Sequence, residues 1–200
     1  MESYDLQSVA ELLAGEYVVN SNRSVCVIVK LELYQRKKEN NIMFRTIRKK
    51  KNEISIDTAK ALLQSSRRGV LAVNGDDGYP YAIPINYVYD DDAQKIYFHG
   101  ARAGHKVDAL RACDKVCFTV YGNETIKEED WAPFVQSVVV FGRCHLVESG
   151  ARATTLLKRF AMKYYPSEQL VDEEIAHAGK AVQIFEIDVE YLSGKEIQER

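Results

Sequence analysis

The chain has 200 residues, 46% of them apolar and 28% charged, and its formal net charge is -2. That balance is ordinary for a folded globular protein, and it excludes fibrous, disordered or nucleic-acid-coating roles that need a compositional or charge bias. A chain of this size buries a core without disulfide or metal staples, so a partner has to be sought at a site rather than in bulk charge.

Residues 1–42 fit the remainder poorly. Residues 8–13 are expected to make a turn or two of helix and residues 25–33 a strand, ahead of a polar run over residues 35–41. The 25–33 run is interrupted by Lys30 and Glu32 and is far too short to span a bilayer; no basic start or small-residue cleavage site precedes it. A cytoplasmic location without membrane contact is expected. Beside a genuine extension, back-translation offers a second reading of this segment. Lys38-Glu39 can be encoded AAG-GAG, a purine-rich ribosome-binding sequence, and Asn40, Asn41 and Ile42 space it from the ATG of Met43. On that reading the native start is Met43, and the chain divides into an extension over 1–42 and a domain over 43–200.

From residue 54 the pattern becomes regular. Ser55 or Asp57 can cap a helix whose apolar positions Ile56, Ala59, Leu62 and Leu63 share a face, with Ser65-Ser66 ending it. A first strand over 68–74 is followed by the turn Gly75-Asp76-Asp77-Gly78, whose residues tolerate positive φ, and by an antiparallel strand over 79–89. Pro80 and Pro84 cannot donate ladder hydrogen bonds, which places them at an edge, at a bulge, or where the backbone faces a ligand. A third strand is expected over 95–99, a short helix over 106–113 and a fourth strand over 115–121. A polar loop over 122–133 carries Trp131. A fifth strand runs over 135–147 with Gly142 as a bulge that lets it bend. An amphipathic helix over 150–165, with Leu156, Leu157, Phe160 and Ala161 inward, stops before Pro166. A short helix over 168–178 and a last strand over 182–191 complete the chain. Six antiparallel strands with few peripheral helices give a mainly β, α+β architecture, closed or partly closed into a barrel because closure removes sheet edges.

Two stretches carry chemistry. His99-Gly100-Ala101-Arg102-Ala103-Gly104-His105-Lys106 offers close backbone approach, a helix N-terminus and the cations Arg102 and Lys106, the groups that converge on a phosphate monoester. Its plainer reading is a strand-to-helix connection. His99 could hydrogen-bond a ligand, act as acid or base, or be a satisfied structural histidine. In Ile83-Pro84-Ile85-Asn86 the proline leaves backbone groups that the rim of a flat heteroaromatic could satisfy; the alternative is a solvated edge strand. Cys26, Cys113, Cys117 and Cys144 form no Cys-x-x-Cys pair, the histidines have no metal-site spacing, and reduced structural thiols without a metal are expected. The basic residues Arg45, Arg48, Lys49, Lys50 and Lys51 lack aromatic interleaving and read as a solvated run rather than a nucleic-acid surface.

The stretches GVLAVNGDDGYPYAIPINYVYD, IYFHGARAGHKVDALR, KVCFTV and SVVVFGR, with Ile187-Asp188 and Ser193-Gly194-Lys195, keep an order and spacing that resembles the pyridoxamine 5′-phosphate oxidase-related flavoproteins. More narrowly, they resemble the branch that includes the nitroimidazole-resistance (Nim) proteins. The resemblance spans about residues 43–195. It implies a six-stranded FMN-binding split β-barrel that works as a homodimer with each flavin at the subunit interface. It further implies that Ala82, Ile83, Pro84, Ile85 and Asn86 lie against the isoalloxazine, that His99 and Gly100 reach its polar edge, and that Lys106, with Arg102 and neighbouring loop groups, holds the phosphate. Ser137 and Val138 would flank the cofactor, from the same or the partner subunit. The tail KEIQER lacks the basic substrate-binding residues of true pyridoxamine phosphate oxidases, which sets vitamin B6 oxidation aside as a secondary reading.

The function so implied is reduction of a small flat acceptor such as a nitroaromatic by FMN, with electrons from NAD(P)H. No Rossmann fingerprint is present, so the nicotinamide would visit an open flavin face. The rival is a non-catalytic flavin-binding protein that stores or senses the cofactor; a haem or a deazaflavin in the same barrel is a weaker alternative.

Overall fold

The structure is a computed structural model that describes residues 44–126, 132–165 and 167–198. The expected helix and strand within residues 1–42, the start at Met43, Trp131 and Pro166 lie outside the described residues. Seven strands and four α-helices are present among those described: α1 (Ile56–Ser65), β1 (Arg68–Asn74), β2 (Pro80–Asn86), β3 (Val88–Asp90), β4 (Lys95–Ala101), α2 (His105–Ala112), β5 (Lys115–Thr125), β6 (Phe134–Leu146), α3 (Ala151–Met162), α4 (Glu168–Ala178) and β7 (Val182–Gln198). All seven strands belong to one antiparallel sheet in the order β2-β1-β5-β6-β7-β4-β3.

The six-strand expectation is therefore corrected to seven, and the difference lies at Tyr87. The apolar run expected as one strand is divided there. Residues before it pair with β1 (Ile85 opposite Gly69), whereas residues after it pair with β4 (Val88 opposite Tyr97). β2 and β3 are thus the two edges of the sheet, and one residue joins them. The sheet has to curl until its edges meet at that corner, which makes it a barrel split between β2 and β4. The break is held by side chains. The fully buried Tyr87 donates from its hydroxyl to the Leu63 carbonyl at 2.7 Å. Its N–H donates to the Tyr164 hydroxyl at 2.8 Å, and that hydroxyl has the Tyr87 and Arg67 carbonyls within 2.7 and 2.6 Å. A buried backbone group left without a ladder partner must find another, and Tyr164 supplies it.

The core fills the curl. Ser55 caps α1 by accepting from the Thr58 N–H at 3.1 Å, and α1 inserts Ala59, Leu62 and Leu63 among Leu71, Phe98, Phe118, Val138 and Phe185, all at most 2% exposed. Ile56, expected inward, is half exposed, because the first turn of α1 overhangs the core. Gly69 makes room for the Phe118 ring, which would lie 2.2 Å from a Cβ there. The expected bulge exists, but the extra residue is Glu190 on β7: Phe141 faces Tyr191 whereas Gly142 faces Val189. A Cβ on Gly142 would meet the Asp188 carbonyl at 2.1 Å, so the glycine permits the close approach and the facing strand bulges.

β4 is covered on both faces, which is why Ile96, Tyr97 and Phe98 are buried in succession. Phe98 faces the main core and Tyr97 a smaller cluster with Leu156, Val147 and Ile184 beneath α3. Arg159 of α3 pairs with Asp90, and Arg152 pairs with Glu186, which also accepts from Lys95 at 2.8 Å. Burial alone would raise the Glu186 carboxyl pKa, but Lys95 and Arg152 outweigh it and hold it below the usual range. The Arg159 guanidinium likewise lowers that of Asp90. No helix among the described residues is long and apolar enough to cross a membrane.

Candidate flavin site at the barrel split

Two unpaired backbone edges face each other where the barrel is open. Among the described residues β2 pairs only with β1. β4 pairs with β3 over residues 95–97, so beyond Tyr97 its edge on that side is free. Of the three placements that Pro80 and Pro84 left open, the edge strand is the one observed. Alternation along β2 leaves Ala82, Pro84 and Asn86 exposed, while Ile83 packs against the core and Ile85 is buried in it. The backbone of this strand and its three outward residues are therefore what a ligand in the split would meet; the isoleucines support it from behind.

The opposite wall is β4 and the start of α2. Alternation sends Phe98 inward and His99 outward. At Gly100 the absent side chain leaves space that Lys106 fills: a Cβ there would lie 2.6 Å from the Lys106 Nζ. The ammonium rests over the Phe98 and Phe185 rings, 5.3 and 5.0 Å from their centroids, and those rings stack on each other at 4.7 Å. Burial lowers the Lys106 pKa. It makes no hydrogen bond or ion pair among the described residues. A half-buried cation without an acceptor is the feature an anionic ligand would complete. α2 begins at Gly104, whose φ of 115° suits glycine and whose position carries no side-chain cap. His105, at the first turn, stacks on Tyr81 of β2 at 4.1 Å and ties the helix start to the far side of the split.

His99 projects from the outer face of β4, edge-on to Phe160 of α3 at 4.6 Å. Much of the residue remains open to solvent, yet ring packing, followed by the nearby Lys106 charge, lowers its pKa, so the imidazole is neutral near pH 7. Such a ring can donate and accept one hydrogen bond at once.

The other expected contacts lie elsewhere. Arg102 donates to the Ser149 hydroxyl at 3.1 Å, ahead of α3, so its guanidinium is directed to that loop. Val138 is fully buried in the core of its own chain. Ser137 is on the opposite face of β6, opposite Tyr121 and Lys195, a sheet face that a second protein copy could reach. The split therefore brings together residues 82–86, His99, Gly100 and Lys106, and leaves Ser137 and Val138 apart from them. Sequence reasoning missed the Phe98–Phe185 bed under Lys106 and the Tyr81–His105 stack. Period-two alternation, which puts Phe98 and Gly100 on one face, was the available signal. Cys113, Cys117 and Cys144 are free thiols, and no cluster of metal-ligating side chains occurs among the described residues.

The sequence matches the family described as pyridoxamine 5′-phosphate oxidase over residues 55–196. No curated protein matches it. Among solved structures the fold is similar to that of a candidate 5-nitroimidazole antibiotic resistance protein from Bacteroides thetaiotaomicron, with TM-score 0.61 and 17% identity over 73% of this chain and 87% of that one. It is also similar to an FAD-binding protein from Mesorhizobium loti, with TM-score 0.53 and 23% identity over 72% and 96% of the two chains. The flavocytochrome Anf3 from Azotobacter vinelandii gives TM-score 0.60 and 18% identity over 78% and 73%. These likenesses concern the fold. The family match runs from the cap of α1 almost to the end of β7 and takes in both walls of the split, and the chain belongs to the pyridoxamine 5′-phosphate oxidase family.

Proposed function

We propose that the protein binds FMN in the split and uses it to pass electrons from NAD(P)H to a small flat acceptor of the nitroaromatic kind, working as a homodimer. The observation that carries this reading is Lys106: a half-buried ammonium held over Gly100 with no acceptor among the described residues, beside a helix start and two backbone edges that no described strand covers. These residues fit a phosphate-bearing flavin. Lys106 would hold the phosphate, with the first-turn N–H groups of α2 alongside. The backbone of residues 82–86 would take the ring, where N–H and C=O groups meet its polar rim and Pro84 contributes a surface without a donor. When bound, the flavin supplies the two-electron chemistry and the protein supplies orientation and exclusion of water. His99, neutral and at the edge of this wall, can hold a hydrogen bond to the acceptor or give it a proton. The dimer is what the family resemblance implies, and Ser137, on the other face of β6 from Val138, would then meet the flavin of a second copy. The flavin-named similar structures support a flavin in general, and FMN is our reading because Lys106 offers one cation for one phosphate.

Purification followed by an absorbance spectrum tests the binding, and the mass of the released cofactor separates FMN from FAD. Stopped-flow mixing with NADH or NADPH, then with a nitroaromatic, tests turnover. Flavin that is reduced and reoxidised within the assay supports the enzyme; flavin that binds but stays oxidised turns the reading into a storage or sensing protein. A protein that neither carries nor takes up a chromophore defeats it.

A further inference from the structure

A second cavity lies on the other side of His99. The open cleft between α3, α4 and the outer face of β4 and β7 has a cavity volume of about 120 Å³ and is walled by Leu157, Phe160, Val171, Ile175 and Val182. Its rim is apolar as well: Tyr165 and Leu170 are 54% and 53% exposed. It is smaller than a drug-sized pocket, but an apolar hollow with few polar groups converging on it has the make-up of a site for a small organic ring. Three polar side chains line it: the His99 imidazole, the Tyr165 phenol and the Glu174 carboxylate. None of the three makes a hydrogen bond or ion pair among the described residues.

Glu174 is the telling one. Neighbouring acids on α4 are committed: Glu168 and Asp172 pair with Lys158 at 2.7 and 2.8 Å, and Glu173 accepts from Gln169 at 2.9 Å. Glu174 alone among these faces the cleft with its charge unmatched. An apolar trough bordered by an aromatic rim and one unmatched anion complements an aromatic ring that carries a cation.

We propose that this cleft binds a small aromatic molecule bearing a protonated amine, its ring against Phe160 and Leu157 and its ammonium at Glu174. His99 lines the cleft from the outer face of β4, and on the function proposed above it would link the cleft to the flavin wall, so that the cleft presents the electron acceptor; the binding itself does not rest on that function.

Benzylamine, benzyl alcohol and benzoate share a ring and differ in charge. Titrating them by calorimetry into the full-length protein, with and without added FMN, reads the preference directly. Benzylamine is expected to bind about fivefold more tightly than benzyl alcohol, with benzoate weakest, the size expected of one partly exposed ion pair. Glu174→Gln, on an exposed helix position, is expected to erase the preference and leave benzyl alcohol unchanged. Tyr165→Ala is expected to weaken both ligands by removing the rim. Equal affinities, a preference that survives Glu174→Gln, or the lack of saturable binding would overturn the proposal. Flavin content, read from absorbance on the same samples, keeps the two readings apart. A colourless protein with the amine preference retains the cleft and loses the flavin function, and a flavin-loaded protein without the preference does the reverse.

Discussion

Two half-buried lysines sit on aromatic rings in this molecule, and they do different work. Lys163, at the barrel corner, lies 4.5 Å over the Tyr87 ring and donates to the Ser66 carbonyl at 2.6 Å. Burial, followed by the Arg67 charge, lowers its pKa to about 8. Lys106, at the barrel mouth, has the same kind of aromatic bed and a pKa lowered by burial, but no acceptor among the described residues. Burial and aromatic contact are therefore shared by a structural cation and a ligand-ready one. The unmade hydrogen bond distinguishes them, because a desolvated donor without a partner is costly until something supplies one.

The same contrast is open to experiment, starting with the glycine beneath each region. Gly69→Ala at the corner would put a methyl group 2.2 Å from the Phe118 ring, against a side chain that cannot yield. A loss of about 3 kcal/mol is expected in urea denaturation. At the mouth, Lys106→Met should lower FMN affinity about thirtyfold, the worth of roughly 2 kcal/mol for a charge-assisted hydrogen bond. Flavin-fluorescence titration measures it, and the flavin-free variant should unfold no earlier than the parent. Unchanged flavin affinity would remove Lys106 from the site. Gly100→Ala clashes with the flexible end of Lys106, 2.6 Å away, and meets the Phe185 ring at an ordinary contact of 3.5 Å, so stability should move by less than about 0.5 kcal/mol while FMN affinity falls about tenfold. Equal stability losses at Gly69 and Gly100 would collapse the contrast.

The smallest effect concerns pH. Lys163 titrates lower folded than its ordinary value of 10.5. Between about 8 and 10.5 the unfolded chain therefore binds more protons, and stability rises with pH across that window. Lys106 contributes with the same sign. Thermal unfolding at pH 8 and pH 10 should show the parent gaining on Lys163→Met by less than about 1 kcal/mol, since partial solvation screens the charge. No difference between them would mean that the corner cation is already well solvated.

Much of the fold was legible because strands announce themselves by alternation and turns by residue type. β1 was expected with its observed bounds, and Asp77 and Gly78, with φ of 53° and 79°, turn the chain as their neighbours' composition suggested. The division at Tyr87 was not legible. An apolar run shows that a strand exists, not which strand it pairs with, and the group that satisfies the break belongs to Tyr164, far along the chain. For the site, the charge of Lys106 and the freedom of Gly100 could be read locally. The missing acceptor could not, because it depends on what every facing strand presents. Val138 shows the same limit from the other side: its place on β6 was foreseen, but the packing that buries it is a property of the closed sheet.

β7 lies between β6 and β4 in the sheet although it comes last in the chain among the described strands. On the ribosome, β1, β2, β5 and β6 can associate early, but β3 and β4 stay a detached hairpin until the final seventeen-residue strand emerges and joins the two groups. Such late, long-range pairing slows folding and prolongs the exposure of bare strand edges. Both walls of the split acquire their fixed separation only when β7 has joined β6 and β4, so a nascent chain lacks the split until that strand has been made.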